Sequence, residues 1–387
     1  MHGRRGADPL TGALHSPVVL SSTFVQAAPG EHKGYHYSRA GNPTRTALEG
    51  VLADLESGIH AFAFASGCAA ITNLLLTLKS GDHILACDDI YGGTYRLMTS
   101  ILGGFGVEVS FVDFTSRKVI LDSLRPNTKM IWTESPSNPL LKICDLSFIA
   151  GVARERGIVF AVDNTLATPM LQRPLTLGAT VVMQSTTKYL SGHCDVLGGA
   201  LITDNEQVAD KIRLMQKAVG AVPSPSDCSL ILRGTQTLIL RVTRQVRSAQ
   251  KIAEWLTTRP EVKKVYYVGL PSHPGHELAK QQMAGPGAMI SFEIDETFVT
   301  VKEFIRKLAL FQCAISLGGV ESLVEHPATM SHATIPREVR LHHGIADGLI
   351  RLSIGVEGPL DLIRDLETGF EANLRHSSQR PEGPSLG

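Results

Sequence analysis

Ile158-Val159-Phe160-Ala161-Val162-Asp163 and, one crossover later, Thr180-Val181-Val182-Met183-Gln184-Ser185-Thr186-Thr187-Lys188 decide the fold. Each is a short apolar run without polar alternation that ends abruptly in polar side chains. A strand that is apolar on both faces is covered on both faces, the pattern of a parallel sheet. Similar runs lie at 60–65, 84–86, 107–112 and 130–132, separated by helical patterns at 68–79, 91–102 and 145–156. The alternation predicts an α/β chain built on a mainly parallel sheet with helices on both sides. Upstream, Thr44 reads as an N-cap, with Leu48, Val51, Leu52 and Leu55 on one helical face and Gly58 as the stop.

The rest of the chain divides around that core. Residues 1–43 have no periodicity and are rich in Gly, Pro, Ser and His, which suggests an arm that packs on another subunit. We place the large domain at 44–240. A smaller α+β domain follows at 241–375, with a helix at 242–257, strands near 262–268, 288–293 and 349–356, and a last helix from Pro359. The Ser/Pro/Gly-rich end, 376–387, is expected to be disordered. Lys plus Arg and Asp plus Glu each total 37 in 387 residues. That balance gives no reason to expect nucleic acid or an anionic membrane as partner. The six cysteines are scattered without a CxxC pair, so neither a disulfide framework nor a metal site is expected. With no apolar stretch after Met1-His2-Gly3-Arg4-Arg5, the cytoplasm is the expected location.

Three strand ends carry chemistry, because ligands of open parallel sheets bind beyond the carboxyl ends of the strands. At Ala65-Ser66-Gly67-Cys68-Ala69-Ala70 a strand gives way to a helix with small residues, so free N–H groups can cradle a phosphate. Asp163 ends a buried strand, where a carboxylate is costly unless paired, and a protonated pyridine nitrogen would pair it. Ser185-Thr186-Thr187-Lys188 offers hydroxyls for phosphate oxygens and an amine able to form an imine. Singly, each has a plainer reading: a helix cap, a turn-capping Asp, a surface lysine. Together they fit one cofactor.

These motifs resemble the Cys/Met-metabolism (transsulfuration) family of pyridoxal 5′-phosphate (PLP) enzymes. Carrying the resemblance are Tyr37-Ser38-Arg39-Ala40-Gly41-Asn42-Pro43-Thr44-Arg45, Ala65-Ser66-Gly67, Asp89-Ile90-Tyr91-Gly92-Gly93-Thr94 and Glu134-Ser135-Pro136-Ser137-Asn138-Pro139. So do Val162-Asp163-Asn164-Thr165, Ser185-Thr186-Thr187-Lys188-Tyr189, Ser316-Leu317-Gly318-Gly319 and Ile350-Arg351-Leu352-Ser353. The resemblance implies a fold-type I PLP-dependent transferase fold, with a mainly parallel seven-stranded sheet and a smaller α+β domain. It implies Lys188 as the Schiff-base lysine and Asp163 as partner of the ring nitrogen. Tyr91 would stack on the ring and act as acid or base. The N–H groups of Gly67 and Cys68 and the hydroxyls of Ser185 and Thr187 would hold the phosphate, with Tyr37 and Arg39 of a neighbouring subunit. Asn138 would lie near the cofactor, and Arg351, helped by Ser316, would grip the carboxylate of a sulfur amino acid. A dimer of dimers is implied.

Within the family, 220–228 and 28–32 are similar to cystathionine γ-lyases, and Arg96 suits a substrate with a distal carboxylate or amino-acid arm. Ile315 departs from the Glu that many γ-lyases and γ-synthases carry there, and 330–336 has counterparts in β-lyases. The expected activities therefore rank as γ-lyase, β-lyase, then γ-synthase. An inactive homologue serving as a binding partner and a cofactor-free Schiff-base aldolase are rival readings. The first is opposed by the joint presence of Lys188, Asp163, Tyr91 and Arg351. The second has no use for the phosphate-binding residues.

Overall fold

The computed structural model describes residues 7–8, 10–333 and 336–371. Its first helix, α1 (Pro43–Leu55), starts two residues earlier than Thr44 as cap would place it. Asn42 is the N-cap, its side chain accepting from Thr44 N and Arg45 N, and Pro43 supplies the preset first turn. Thr44 instead ties down the arm: its hydroxyl accepts from Val19 N and donates to Pro17 O. Gly58 does not end the helix, which stops at Leu55. A Cβ at Gly58 would come within 2.5 Å of Ile202 Cγ2, so glycine there lets the chain press against a strand of the sheet.

Seven strands follow: β1 (His60–Phe64), β2 (His83–Cys87), β3 (Glu108–Val112), β4 (Thr128–Glu134), β5 (Val159–Asp163), β6 (Val181–Gln184) and β7 (Gly199–Thr203). They form one sheet in the order β1-β7-β6-β5-β4-β2-β3. Strands β3, β2, β4, β5 and β6 pair parallel, and β7 runs antiparallel between β6 and β1. The mainly parallel, doubly covered sheet is as expected. Strand β7 went unread because it opens with Gly199, which looks like a breaker. A Cβ there would lie 2.3 Å from Ser66 O, so the glycine allows β7 to pass beneath the start of α2 (Gly67–Leu75). The pattern at 91–102 is a short helix, α3 (Gly92–Arg96), continued by one turn of wide helix and one of tight helix to Phe105.

A second sheet contains β8 (Val262–Tyr266), β9 (Met289–Ile294), β10 (Gln312–Cys313), β11 (Leu323–Glu325) and β12 (Leu349–Ser353), in the order β10-β11-β12-β9-β8. The helix expected at 242–257 spans Leu238–Leu256, so the division expected at 240–241 falls inside it. Its buried face (Val242, Ala249, Ile252, Leu256) joins Leu48 and Val51 of α1 and Phe292 and Phe304 of the second unit in one apolar cluster. Both sheets thus rest on a common core. The expected disordered tail at 376–387, and Thr334 and Ile335 of the 330–336 segment, lie outside the described residues. Among the described residues no helix is long and apolar enough to cross a membrane.

Candidate active site

Parallel pairing brings the carboxyl ends of β4, β5 and β6 side by side, and their terminal polar residues line one cleft of about 210 Å³. Asp163 ends β5, and Ser185, Thr187 and Lys188 follow β6. Asn138, Ile315, Ser316 and Arg351 line the same cleft, as do Gly67, Cys68 and Tyr91. Eleven of the fourteen distinct residues named from sequence line it; those that do not are Tyr37, Arg39 and Arg96. Arg96 ends α3 and acts on Cys68 and Tyr91 only through its charge. Arg39 lies over the Tyr37 ring and donates to Lys217 O at 2.6 Å, in the helix Glu206–Val219 of its own chain.

Lys188 is half-buried in the cleft. Burial, followed by the positive charge of Arg351, holds its amine below the ordinary lysine range. Its Nζ donates to Ser316 Oγ at 2.8 Å. Asp163 is 8 % exposed, and its carboxylate accepts from Thr165 N at 3.0 Å. Burial raises its pKa, and no cation among the described residues forms an ion pair with it. Glu134 stands directly across from it in the β4–β5 register. Burial, followed by the Asp163 charge, pushes the Glu134 carboxyl well above the usual carboxylate range. Glu134 also accepts from Tyr91 N at 2.7 Å and thereby fixes the start of α3. The sequence reading passed over Glu134, although it ends its strand as Asp163 does.

The other walls are equally specific. The Tyr91 hydroxyl and the Cys68 thiol are hydrogen-bonded neighbours, and partial desolvation raises both above their ordinary range. A Cβ at Gly93 would fall 2.3 Å from the Tyr91 ring, so glycine leaves the ring its place. Ser66 caps α2 by accepting from Ala69 N, which leaves the first N–H groups of the helix facing the cleft wall. A Cβ at Gly67 would crowd Ser185 Oγ at 3.1 Å. The Thr187 hydroxyl donates to Gly198 O and accepts from Gly198 N. Arg351 is buried. It donates to Asn138 Oδ1 (2.8 Å) and Ser316 O (3.1 Å) and is ion-paired with Glu325, a second residue the sequence reading passed over. Asn138 is thus a partner of Arg351 here. Beneath the site the buried Glu56 accepts from Asn164 Nδ2 at 3.1 Å and Gln184 Nε2 at 2.6 Å, and burial lifts its pKa to about 7. His193 and Cys194, next to this region, turn apart: the His193 ring bonds Ser191 O, and the Cys194 thiol approaches Glu321.

The donor set fits PLP. A buried carboxylate without a cation suits a protonated ring nitrogen. A desolvated lysine suits an aldehyde carbon. A helix start bordered by glycine and two hydroxyls suits a phosphate.

Comparison with known proteins agrees with this chemistry. The chain is 50% identical over 372 residues to a cystathionine β-lyase of Coxiella burnetii, covering 96% of both chains. It is 49% identical over 371 residues to a cystathionine γ-lyase of Bacillus subtilis, covering 96% of this chain and 98% of that one. The crystal structure of cystathionine γ-lyase from Lactobacillus plantarum complexed with L-serine superposes with a TM-score of 0.95 at 44% identity, covering 96% of this chain and 97% of that one. Residues 1–371 match the family described as Cys/Met metabolism PLP-dependent enzyme. With a half-buried lysine, a buried carboxylate that has no ion-pair partner among the described residues and a helix start bordered by hydroxyls in one cleft, and with the match over residues 1–371, the chain belongs to that family of PLP-dependent enzymes.

Proposed function

We propose that this PLP-dependent carbon–sulfur lyase cleaves the Cγ–S bond of cystathionine or a related sulfur amino acid, giving cysteine, 2-oxobutyrate and ammonia. The observation that carries the reading is the Lys188 amine, desolvated and bonded to Ser316, in a cleft shared by Asp163 and Arg351. In the proposed arrangement Lys188 attaches the cofactor, Asp163 holds the ring-nitrogen proton, and Gly67, Cys68, Ser185 and Thr187 hold the phosphate. Bound PLP supplies an electron sink for the charge left at the substrate Cα. Arg351 grips the substrate α-carboxylate through its planar guanidinium, and this fixes the Cα–H bond toward Lys188. The uncharged Lys188 amine takes the Cα proton and, once it has passed that proton on to the bound cofactor, takes a Cβ proton, so that the γ-thiolate can leave. The Tyr91 phenol, kept protonated by burial, gives that sulfur its proton. Water completes the release of the oxo acid and ammonia.

β-Cleavage is the second reading, supported by the likeness of 330–336 to β-lyases. Ile315 at the cleft mouth is 67% exposed and apolar, so it offers no carboxylate to the distal amine of cystathionine and suits an apolar thioether. Among the relatives, both lyase names occur. γ-Replacement, the synthase reaction, ranks third. Incubating the purified, PLP-loaded protein with cystathionine separates these: cysteine with 2-oxobutyrate is the expected result. Homocysteine with pyruvate establishes β-cleavage instead. Turnover only with an activated homoserine ester and cysteine establishes the synthase.

A further inference from the structure

We propose that Glu325 is the positioning residue of the substrate-carboxylate site, holding Arg351 in the orientation in which it meets its ligand. The inference rests on the reading of Arg351 given above. Glu325 and Arg351 are direct cross-strand partners on β11 and β12. Both are buried, at 1% and 4% exposure, and both line the cleft. One Glu325 carboxylate oxygen accepts from the guanidinium Nη2, and the other accepts from Ser331 N at 3.0 Å. Nη2 also donates to Ser316 O, the backbone of the residue whose hydroxyl receives the Lys188 amine. Nη1 donates one hydrogen to Asn138 Oδ1. Nη2 is thereby committed to protein acceptors, and the buried Nε has no protein partner. The fixed guanidinium keeps its unpartnered Nε–H for a ligand oxygen.

Two features make a carboxylate at 325 specific. Both of its oxygens accept, from donors on different segments, so an amide in its place would set an N–H against one of two N–H donors. The segment it holds through Ser331 also packs on the other wall: a Cβ at Gly92, beside Tyr91, would meet Ser331 O at 3.0 Å. Glu325 therefore couples the guanidinium to the loop that faces Tyr91.

The test uses two probes on the PLP-loaded protein. The des-amino analogue of methionine has the carboxylate and no amine. The decarboxylated analogue, a thioether amine, has the amine and no carboxylate. Glu325→Gln and Glu325→Asp are both expected to weaken inhibition by the acid, by roughly 10-fold to 100-fold. Inhibition by the amine and the cofactor absorbance stay as in the parent. Substrate KM rises by a comparable factor, with a smaller change in kcat. The Asp variant keeps the charge and shortens the reach, so its loss isolates position from charge. Unchanged or tighter binding of the acid in both variants overturns the proposal. So does equal weakening of acid and amine, the mark of a merely structural residue. Arg351→Lys is the control: if it leaves the acid unaffected, the carboxylate site itself is misassigned and the proposal falls with it. If it weakens the acid while the Glu325 variants do not, the proposal alone falls.

Discussion

In the role proposed for it Lys188 reacts uncharged, and desolvation beside Arg351 favours that state. Lys188→Ala is expected to lower kcat by at least about 1,000-fold. It should also remove the visible absorbance of the attached cofactor, as a spectrum before and after borohydride treatment would record. Ile315→Glu is expected to raise kcat/KM for cystathionine relative to methionine by roughly 5-fold, the worth of a partly exposed ion pair of about 1 kcal/mol. Paired kinetics with the two substrates measure it, and an unchanged ratio removes Ile315 from the specificity argument. Asp163 and Lys188 were legible because each breaks an apolar run at a strand end, a signal local to the sequence. The partners of Arg351 were not, since they come from distant segments: Asn138 is 213 residues away and Glu325 is 26. No local pattern announces such a contact.

At the scale of elements, β5 and β6 sit above Glu56, whose pKa moves from 4.5 to about 7. The protonated form is the one that folding favours. Its contribution is complete below pH 4.5 and is lost as the pH rises through about 7, amounting to no more than about 3 kcal/mol. Glu56→Gln keeps the acceptor for Asn164 and Gln184 without the charge. Its Tm advantage over the parent should be larger at pH 8 than at pH 5, and thermal melts at the two values check it. Gly199→Ala drives a Cβ into Ser66 O. It is expected to destabilise by about 2 kcal/mol or more and to displace the start of α2, so PLP binds more weakly in a titration. The strands of the large sheet were readable from apolar runs because burial on both faces leaves few alternatives. Strand β7 and the cap at Asn42 were not, because a close backbone approach and a choice between adjacent cap residues are settled by tertiary contacts.

The whole molecule leaves Tyr37 and Arg39 outside its own cleft, on an arm with exposed Leu10, Leu14, Leu20 and Val25. If the arm completes a neighbour's phosphate site, two inactive variants should repair each other. Mixing Arg39→Ala with Lys188→Ala, with subunit exchange, should recover about one quarter of the parental activity, because half of randomly paired dimers contain one intact site of two. Recovery of nothing would confine each site to a single chain. The cleft also draws Lys188 from the large sheet and Arg351 from the second one. In the proposed arrangement a substrate held through its amine by the cofactor beside Lys188 and through its carboxylate by Arg351 spans both sheets, and those two anchors together with the side-chain channel fix its handedness. The mirror-image amino acid can satisfy the same anchors only by turning its Cα hydrogen away from the lysine. D-Cystathionine should therefore occupy the cleft as an inhibitor and pass through unbroken.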